Sequence, residues 1–580
     1  MALQKFLFYR GLKVKSTYGV DYQNGLATNY WNNNIGDGSG LGGLVKDIYY
    51  EALVWNWANT ITYNKVIAED HTINLLGGAE YNKNNTRFFY ADAYGASDPF
   101  YTQFIGSAFT NFGADGGIQS NGFDAYFGSA NYAYKQKYLA SATYRADAYS
   151  GFGIDHRRGG FPSGSLGWRF TQEDFLKNQS FLSDGKLRAS YGLTGNSNIG
   201  NYPSLSTYGP VTYANLGGAS LTNPGNPDLR WEKTKQLDFG VDATLFKKVN
   251  VVIDYYDKRT SDLILNNPVP ATLGFPSNQI TENIGAISNK GLEFTANAAI
   301  ITSKSFQWNV NFNIAYNKSK VLSTDAAGDD ITPSTATYYS IARPGYEIGS
   351  YYLIRWDGVN PQTGLAQFLD ANGNVKMYNP STGGWTDPAT GKAVSAITST
   401  DKVISKKSYI PKFAGGLTND FKYKNFDLSI FLQFATDFYV YDNTRKALLG
   451  QTNLNNSTEI LNSWTTPGQV ADNQKLYYGD ATSTQASTRW LERGDFIRGK
   501  NLMLGYSLPK DVAKRMSLSR IRIYLQVQNA FTITGYKGTN PEVNSNNTGS
   551  TDADRNIGGG VDSYTPYLAR TLSLGLSVGF

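Results

Sequence analysis

A period-two alternation runs through segment after segment of this chain, and its polar side carries charges. That combination narrows the possible folds more than any other property of the sequence. Near the C-terminus Leu572, Leu574, Leu576, Val578 and Phe580 alternate with Thr571, Ser573, Gly575, Ser577 and Gly579. Residues i and i+2 of a strand share a face, so this segment has one apolar face and one of small polar residues. Ile521, Ile523, Leu525 and Val527 alternate in the same way with Arg520, Arg522, Tyr524 and Gln526. Phe426, Leu428, Ile430 and Leu432 alternate with Asn425, Asp427 and Ser429, and Trp308, Val310, Phe312 and Ile314 with Asn309, Asn311 and Asn313. Leu237, Phe239 and Val241 alternate with Gln236, Asp238 and Asp242. A soluble sandwich packs one strand face on a second sheet. Arg, Asp, Asn and Gln on the other face of strand after strand suit a barrel with lipid outside and water inside.

Composition agrees. Tyr (41), Phe (31) and Trp (10) are abundant, Gly reaches 60, and charged residues are 17%, a balance that favours strands and turns over helices. A mean hydropathy of −0.39 does not oppose a membrane barrel, whose alternating strands average out. No run approaches ~18 apolar residues, so no transmembrane helix is expected. The chain has no Cys, which removes disulfides, thiolate metal sites and Cys nucleophiles. A net charge of +6 without a Lys/Arg run gives no reason to expect nucleic acid as a partner.

About eighteen strands follow from the alternation rule. They lie near 11–22, 45–64, 70–92, 121–134, 138–152, 160–172, 185–197, 231–247, 249–264, 285–302, 306–320, 335–343, 347–357, 411–422, 425–441, 494–507, 520–534 and 570–580. Tight connections such as 134–138, 247–249, 302–306, 343–347 and 423–425, with 173–184 and 508–519 of about a dozen residues, alternate with long ones rich in Gly, Asn, Ser and Thr. The long ones are 23–44, 93–120, 198–230, 265–284, 358–410, 442–493 and 535–569; only 153–159 is short on that side. Short turns on one side and long loops on the other are the pattern of an outer-membrane barrel, the short side being periplasmic. The expected fold class is therefore all-β, a transmembrane antiparallel β-barrel.

Several segments then resemble the SusC/RagA family of TonB-linked outer-membrane proteins. They are Tyr138-Leu-Ala-Ser-Ala-Thr-Tyr-Arg145 leading to Phe161-Pro162-Ser163, and Asn226-Pro-Asp-Leu-Arg-Trp-Glu-Lys-Thr234. Asp254-Tyr-Tyr-Asp-Lys258, Asn283-Ile-Gly285 and Asn289-Lys-Gly-Leu-Glu293 follow. The set ends with Gly494-Asp-Phe-Ile-Arg498, Leu504-Gly-Tyr-Ser-Leu-Pro509, Gln528-Asn-Ala-Phe531 and Asn540-Pro-Glu542. The resemblance implies a plugged barrel in the outer membrane of Bacteroidetes-type bacteria. Such a barrel imports oligosaccharides with a SusD-like surface lipoprotein and the TonB complex, or peptides in the RagA type. A passive porin or surface adhesin barrel is the alternative. Large transporters of this kind have 22 strands around a plugged lumen. Residues 1–580 are thus expected to be a partial barrel of about eighteen strands, with plug, TonB box and signal peptide preceding Met1. Taken alone, it is expected to show either a gap where about four strands are missing or a strained closure, with 11–22 and 570–580 as open edges.

Site signals are sparse. Gly575-Leu-Ser577-Val-Gly579 matches G-x-S-x-G but lies inside the terminal strand with no later His, so no enzyme is expected. His71 and His156 stand apart, which makes poor metal ligands. Thr390-Gly391-Lys392 has Thr386 where a P-loop needs Gly. Asp370-Ala-Asn372-Gly-Asn374 and Asp552-Ala-Asp554-Arg-Asn556 begin like calcium loops but carry Ser381 and Ser563 at the twelfth position, where Glu is needed. No cofactor is expected beyond a weak calcium site of another kind in these loops. Trp31, Trp385 and Trp464 fall in the long connections and are the candidate sugar-stacking residues, because an apolar ring face can meet sugar C–H groups. Phe580, preceded by Val578, Leu576 and Leu574, is the candidate outer-membrane assembly signal, as the resemblance implies.

Overall fold

The computed structural model describes residues 2–9, 11–104, 106–176, 179–214, 216–324, 328–333, 339–543 and 557–580, with side chains for all but 2–9 and 277. Among the described residues, seventeen strands belong to one antiparallel sheet. They are β1 (Ala2–Tyr9), β2 (Leu12–Trp31), β3 (Leu44–Ile67), β4 (His71–Ala96), β5 (Phe109–Tyr134), β6 (Tyr138–Tyr149), β7 (Arg158–Trp168), β8 (Leu182–Asn196), β9 (Glu232–Leu245), β10 (Val249–Ser261), β11 (Ala286–Thr302), β12 (Phe306–Ser323), β13 (Phe413–Tyr423), β14 (Phe426–Thr436), β15 (Phe496–Ser507), β16 (Arg520–Thr534) and β17 (Thr571–Gly579).

The chain divides into two compact units. The first is Met1–Trp168 with Ser190–Lys235 and Asp262–Asn283; the second is Arg169–Ala189 with Gln236–Ser261 and Ile284–Phe580. In the first, β1 to β7 form a meander, each strand pairing with the next. In the second, β10 to β17 do the same. Tight turns join alternate pairs. Ala68-Glu69, Lys135-Gln136 and Phe246-Lys247 all have positive φ, as a two-residue turn between right-twisted strands requires.

The expected face pattern is present. One cross-strand row in the second unit runs Trp308, Phe421, Leu428, Leu504, Leu525 and Leu574. The other face carries the ion pair of Arg522 with Asp427. Arg188 likewise holds both Asp242 and Asp254 at 2.9 Å. Leu572 (70%), Leu574 (79%) and Leu576 (66%) are exposed, as a lipid-facing row would be. Ile521 departs from this expectation and is buried, because the helix Lys510–Arg515 packs on the start of its strand.

Several sequence expectations are corrected. Residues 335–343 are not a sheet strand: 335–338 lie outside the described residues, and 340–341 form a two-residue strand in a separate three-stranded sheet. The 347–357 segment contributes Ser350–Leu353 to that sheet and Arg355–Val359 to a five-stranded one. Both alternate because they line the core of a loop body. The connection between β12 and β13 is therefore one long segment, 324–412, and the 343–347 turn lies inside it. In return, residues 2–9 form β1, which pairs with β2, so 11–22 is not an outermost strand. Strands β2 and β5 also run through 23–31 and 109–120, expected as loop. These stretches are polar and Gly-rich, so strand pairing continues beyond the region where apolar alternation reveals it.

Candidate functional site

The resembling segments prove to be packing partners. In the first unit, Trp231 of Asn226–Thr234 packs on Phe152 and on Phe161, with ring centroids 4.9 and 5.2 Å apart. Its indole N–H donates to the Arg157 carbonyl at 2.7 Å. Leu229 and Trp231 are buried with Phe152 and Phe161 in one core. Gly153 sits so close to the Pro227 carbonyl that a Cβ would lie 1.7 Å from its oxygen, so only glycine fits. The Asn283 amide donates to the Arg230 and Asp262 carbonyls, and its oxygen accepts from the Arg230 N–H. In the second unit, Tyr256 faces Gly291 across the β10–β11 ladder, and a Cβ there would meet the Tyr256 ring at 2.3 Å. Lys290 pairs with Asp257 at 2.7 Å. The glycine of Asn289–Glu293 is thus the seat for the second Tyr of Asp254–Lys258.

Two more such segments form a clamp. Arg498 of β15 is 1% exposed. Its guanidinium donates to Glu542, to Asn540 Oδ1 at 2.8 Å and to Thr532 Oγ1 at 3.0 Å. Gln433 of β14 donates to the same Glu542 at 2.8 Å. Asn540-Pro-Glu542 in the connection 535–570 is thereby tied to the strand ends. A buried cation with three acceptors is the satisfied form of such a group. Next to the clamp lies a cavity of about 350 Å³, lined by Tyr409, Pro411, Phe434, Phe438, Phe496 and Val543 among others, with Gln433 and Glu542 as its polar members.

The three long connections of the second unit, 324–412, 437–495 and 535–570, share one core. Tyr351, Tyr441, Trp490, Leu353, Leu449 and Val561 are buried in it. The Tyr351 hydroxyl lies 2.7 Å from the Gly560 carbonyl and 3.0 Å from that of Tyr439. Arg445 pairs with Glu459 and, at 2.9 Å, with Glu492. Arg489 lies over Trp490 at 4.5 Å and over Trp356 at 4.7 Å. Asp442 and Asp562 stand in register on two short parallel strands. Tyr536 donates to Asp562 at 2.8 Å, and Asp442 accepts from the Arg445 N–H at 2.8 Å, capping the helix Asn443–Leu448.

Burial pushes the Asp442 carboxyl up to about 6; Glu492 and Asp562 push the same way, and the Arg445 N–H and charge oppose them. A carboxyl raised in the folded state is protonated more readily there, so it favours folding below its ordinary value near 3.8 and loses that contribution as pH rises through about 6. We therefore expect amide exchange at 439–449 to be slower at pH 5 than at pH 7.5, beyond the intrinsic pH effect. Asp442→Asn, which keeps the capping oxygen, should flatten that step. An unchanged step in the variant would assign the effect to another group.

The candidate aromatics are placed apart. Trp31 ends β2 in the first unit and pairs with Leu44. Trp385 is half-buried in the five-stranded loop sheet, 5.9 Å from Phe368 and 5.2 Å from Tyr378. Trp464 is buried; its N–H donates to the Pro361 carbonyl at 2.9 Å, and Gly364 and Lys475 lie against its ring. Asp370 accepts from the Asn372 and Asn374 N–H groups within its own turn, and Asp552–Asn556 lies outside the described residues. His71 meets the Tyr132 hydroxyl at 2.8 Å and His156 lies 3.9 Å from Asp228. Sequence reasoning missed the Arg498–Glu542 clamp and the Trp490 core. The signal was present in Arg489-Trp490 just before Gly494–Arg498, where an arginine adjoins a large aromatic.

Residues 3–530 match the family model described as TonB dependent receptor-like, beta-barrel. TonB-dependent receptor P3 of Formosa agariphila is 31% identical over 99% of this chain and 57% of its own length. TonB-dependent receptor SusC of Bacteroides thetaiotaomicron is 31% identical over 79% of this chain and 43% of its own. The chain thus spans about half the length of the curated relatives it matches. Among solved structures, the RagAB peptide importer in its closed-closed state aligns with a TM-score of 0.82 and 25% identity, covering 99% of this chain and 61% of that one. The alternating strands, the short and long connections and the matched segments lead to one assignment: the chain belongs to the SusC/RagA branch of the TonB-dependent receptor-like β-barrels of the bacterial outer membrane.

Proposed function

We propose that this chain is the barrel part of a TonB-dependent importer that takes up oligosaccharides and works with a SusD-like surface lipoprotein. The observation that carries the reading is the 31% identity to SusC, joined to long connections that pack into one ordered body above β13–β16. The reading requires a plug and a TonB-contacting segment in addition to these 580 residues. Peptide import is the second reading, favoured by the likeness to the RagAB peptide importer. A porin would need neither TonB nor a lipoprotein partner. Of the candidate aromatics, Trp464 is buried, while Trp31 and Trp385 are half-buried and are the proposed sugar contacts; no residue is assigned a catalytic role. Deleting the gene and testing growth on panels of oligosaccharides and of peptides separates the readings. Selective loss on one glycan supports the first, loss on peptides alone the second.

Phe580, with Val578, Leu576 and Leu574 on the same face, is the proposed assembly signal. Phe580 is 97% exposed, and β17 offers an aromatic tip of the kind found at a membrane interface. We expect Phe580→Asp to lower the heat-modifiable, folded barrel recovered from outer membranes several-fold. Substrate affinity of the molecules that do assemble should not change, since the long connections lie at the other strand ends. Normal amounts of folded barrel would refute this role.

A further inference from the structure

The short connections of the second unit carry cations one after another. Lys247 and Lys248 lie in the turn 246–248, Lys304 in 303–305, Lys424 in 424–425, and Lys510, Lys514 and Arg515 in 508–519. All seven are exposed, and none is in an ion pair with a described carboxylate. Asp511 is the sole acid in these four segments. Backbone bonds link the turns to their neighbours: Ala299 N–H to Lys248 O at 3.1 Å, Lys424 N–H to Ser305 O at 3.0 Å, Ser507 N–H to Asn425 O at 2.9 Å and Ser519 N–H to Gly579 O at 2.8 Å. The cations therefore follow one another along one edge of the sheet. Glu173 and Asp174, in the connection 169–181, bound the series at one end, where Phe246 N–H meets Phe181 O.

Large apolar side chains stand exposed among them. Phe246 is 63% exposed, Tyr423 52% and Met516 57%. In an outer-membrane barrel this is the level where strands leave the hydrocarbon on the periplasmic side. An exposed aromatic beside an unpaired lysine suits the headgroup layer, the ring in the interface and the ammonium on phosphate. The first unit differs: Lys135, in the turn 135–137, pairs with Asp70 at 3.5 Å.

We propose that this rim binds the headgroups of anionic phospholipids in the periplasmic leaflet, so that the second unit gathers acidic lipid around its short turns. The chain has no cysteine, which allows a single probe to be placed. A fluorophore on Ser305→Cys, with the protein in nanodiscs, reports quenching by brominated phosphatidylglycerol or brominated phosphatidylcholine. One lysine near an anionic surface favours it by about fivefold. The expected relative binding constant therefore prefers phosphatidylglycerol by about tenfold or more. It should fall toward unity in Lys304→Gln/Lys424→Gln/Lys510→Gln/Lys514→Gln and persist when the same four lysines become Arg. Heat-modifiable mobility checks that each variant is folded. Equal binding of the two lipids, or a preference unchanged in the glutamine variant, would overturn the proposal. So would displacement of the lipid by millimolar inorganic phosphate, which would mark a free-anion site instead.

Discussion

Replacing Arg498 with Met is expected to release the 535–543 segment from the strand ends. The guanidinium is buried and held by Glu542, Asn540 and Thr532. Removing it leaves the Glu542 carboxylate half-buried, with Gln433 as its remaining partner. Breaking a buried pair by deleting one member costs about 3–5 kcal/mol. The loss should be local, because the β15–β16 ladder does not depend on that side chain. Amide exchange at 535–543 should rise by two orders of magnitude or more while the strands stay protected. The double variant Arg498→Met/Glu542→Leu should recover a large part of the protection, since no unpaired charge remains. Unchanged exchange in the single variant would show that the loop is held by other contacts.

Trp490→Ala is expected to loosen all three long connections of the second unit together. The indole is 0% exposed and lies between segments of different connections, with Arg489 and Arg445 over its ring. A buried Trp truncated to Ala costs about 3–5 kcal/mol through lost burial and the cavity left behind. The Gln485 carbonyl also loses its donor. Protease sensitivity should rise in 339–353, 439–449 and 557–562 at once, with the barrel still heat-modifiable. Sensitivity confined to the neighbourhood of 490 would contradict a shared core.

Sixteen of the eighteen expected strands correspond to strands of the sheet, because a strand between lipid and water must alternate. That requirement is written in Leu572–Phe580 and in Ile521–Val527 without reference to the rest of the chain. Where the requirement is absent, the sequence is less legible. Tyr351 and Leu353 alternate because they fill a loop core, which looks the same as a membrane strand in one dimension. Residues 23–31 pair with β3 although they are polar, since pairing needs only backbone groups. The candidate site was legible as fragments. Gly494–Arg498 and Asn540–Glu542 stood out as segments, but the bond between Arg498 and Glu542 joins residues 44 apart. Residue type likewise gave no means to separate buried Trp464 from half-buried Trp385.

The proposed energised import can be tested with a fluorescent oligosaccharide in cells of the native organism. Uptake is recorded with and without the gene, at rising concentration and with a protonophore. The expected result is gene-dependent uptake that saturates, and that collapses when the proton gradient is dissipated or TonB is deleted. Gene-dependent uptake that rises linearly with concentration and ignores both treatments would contradict energised import and assign a passive pore.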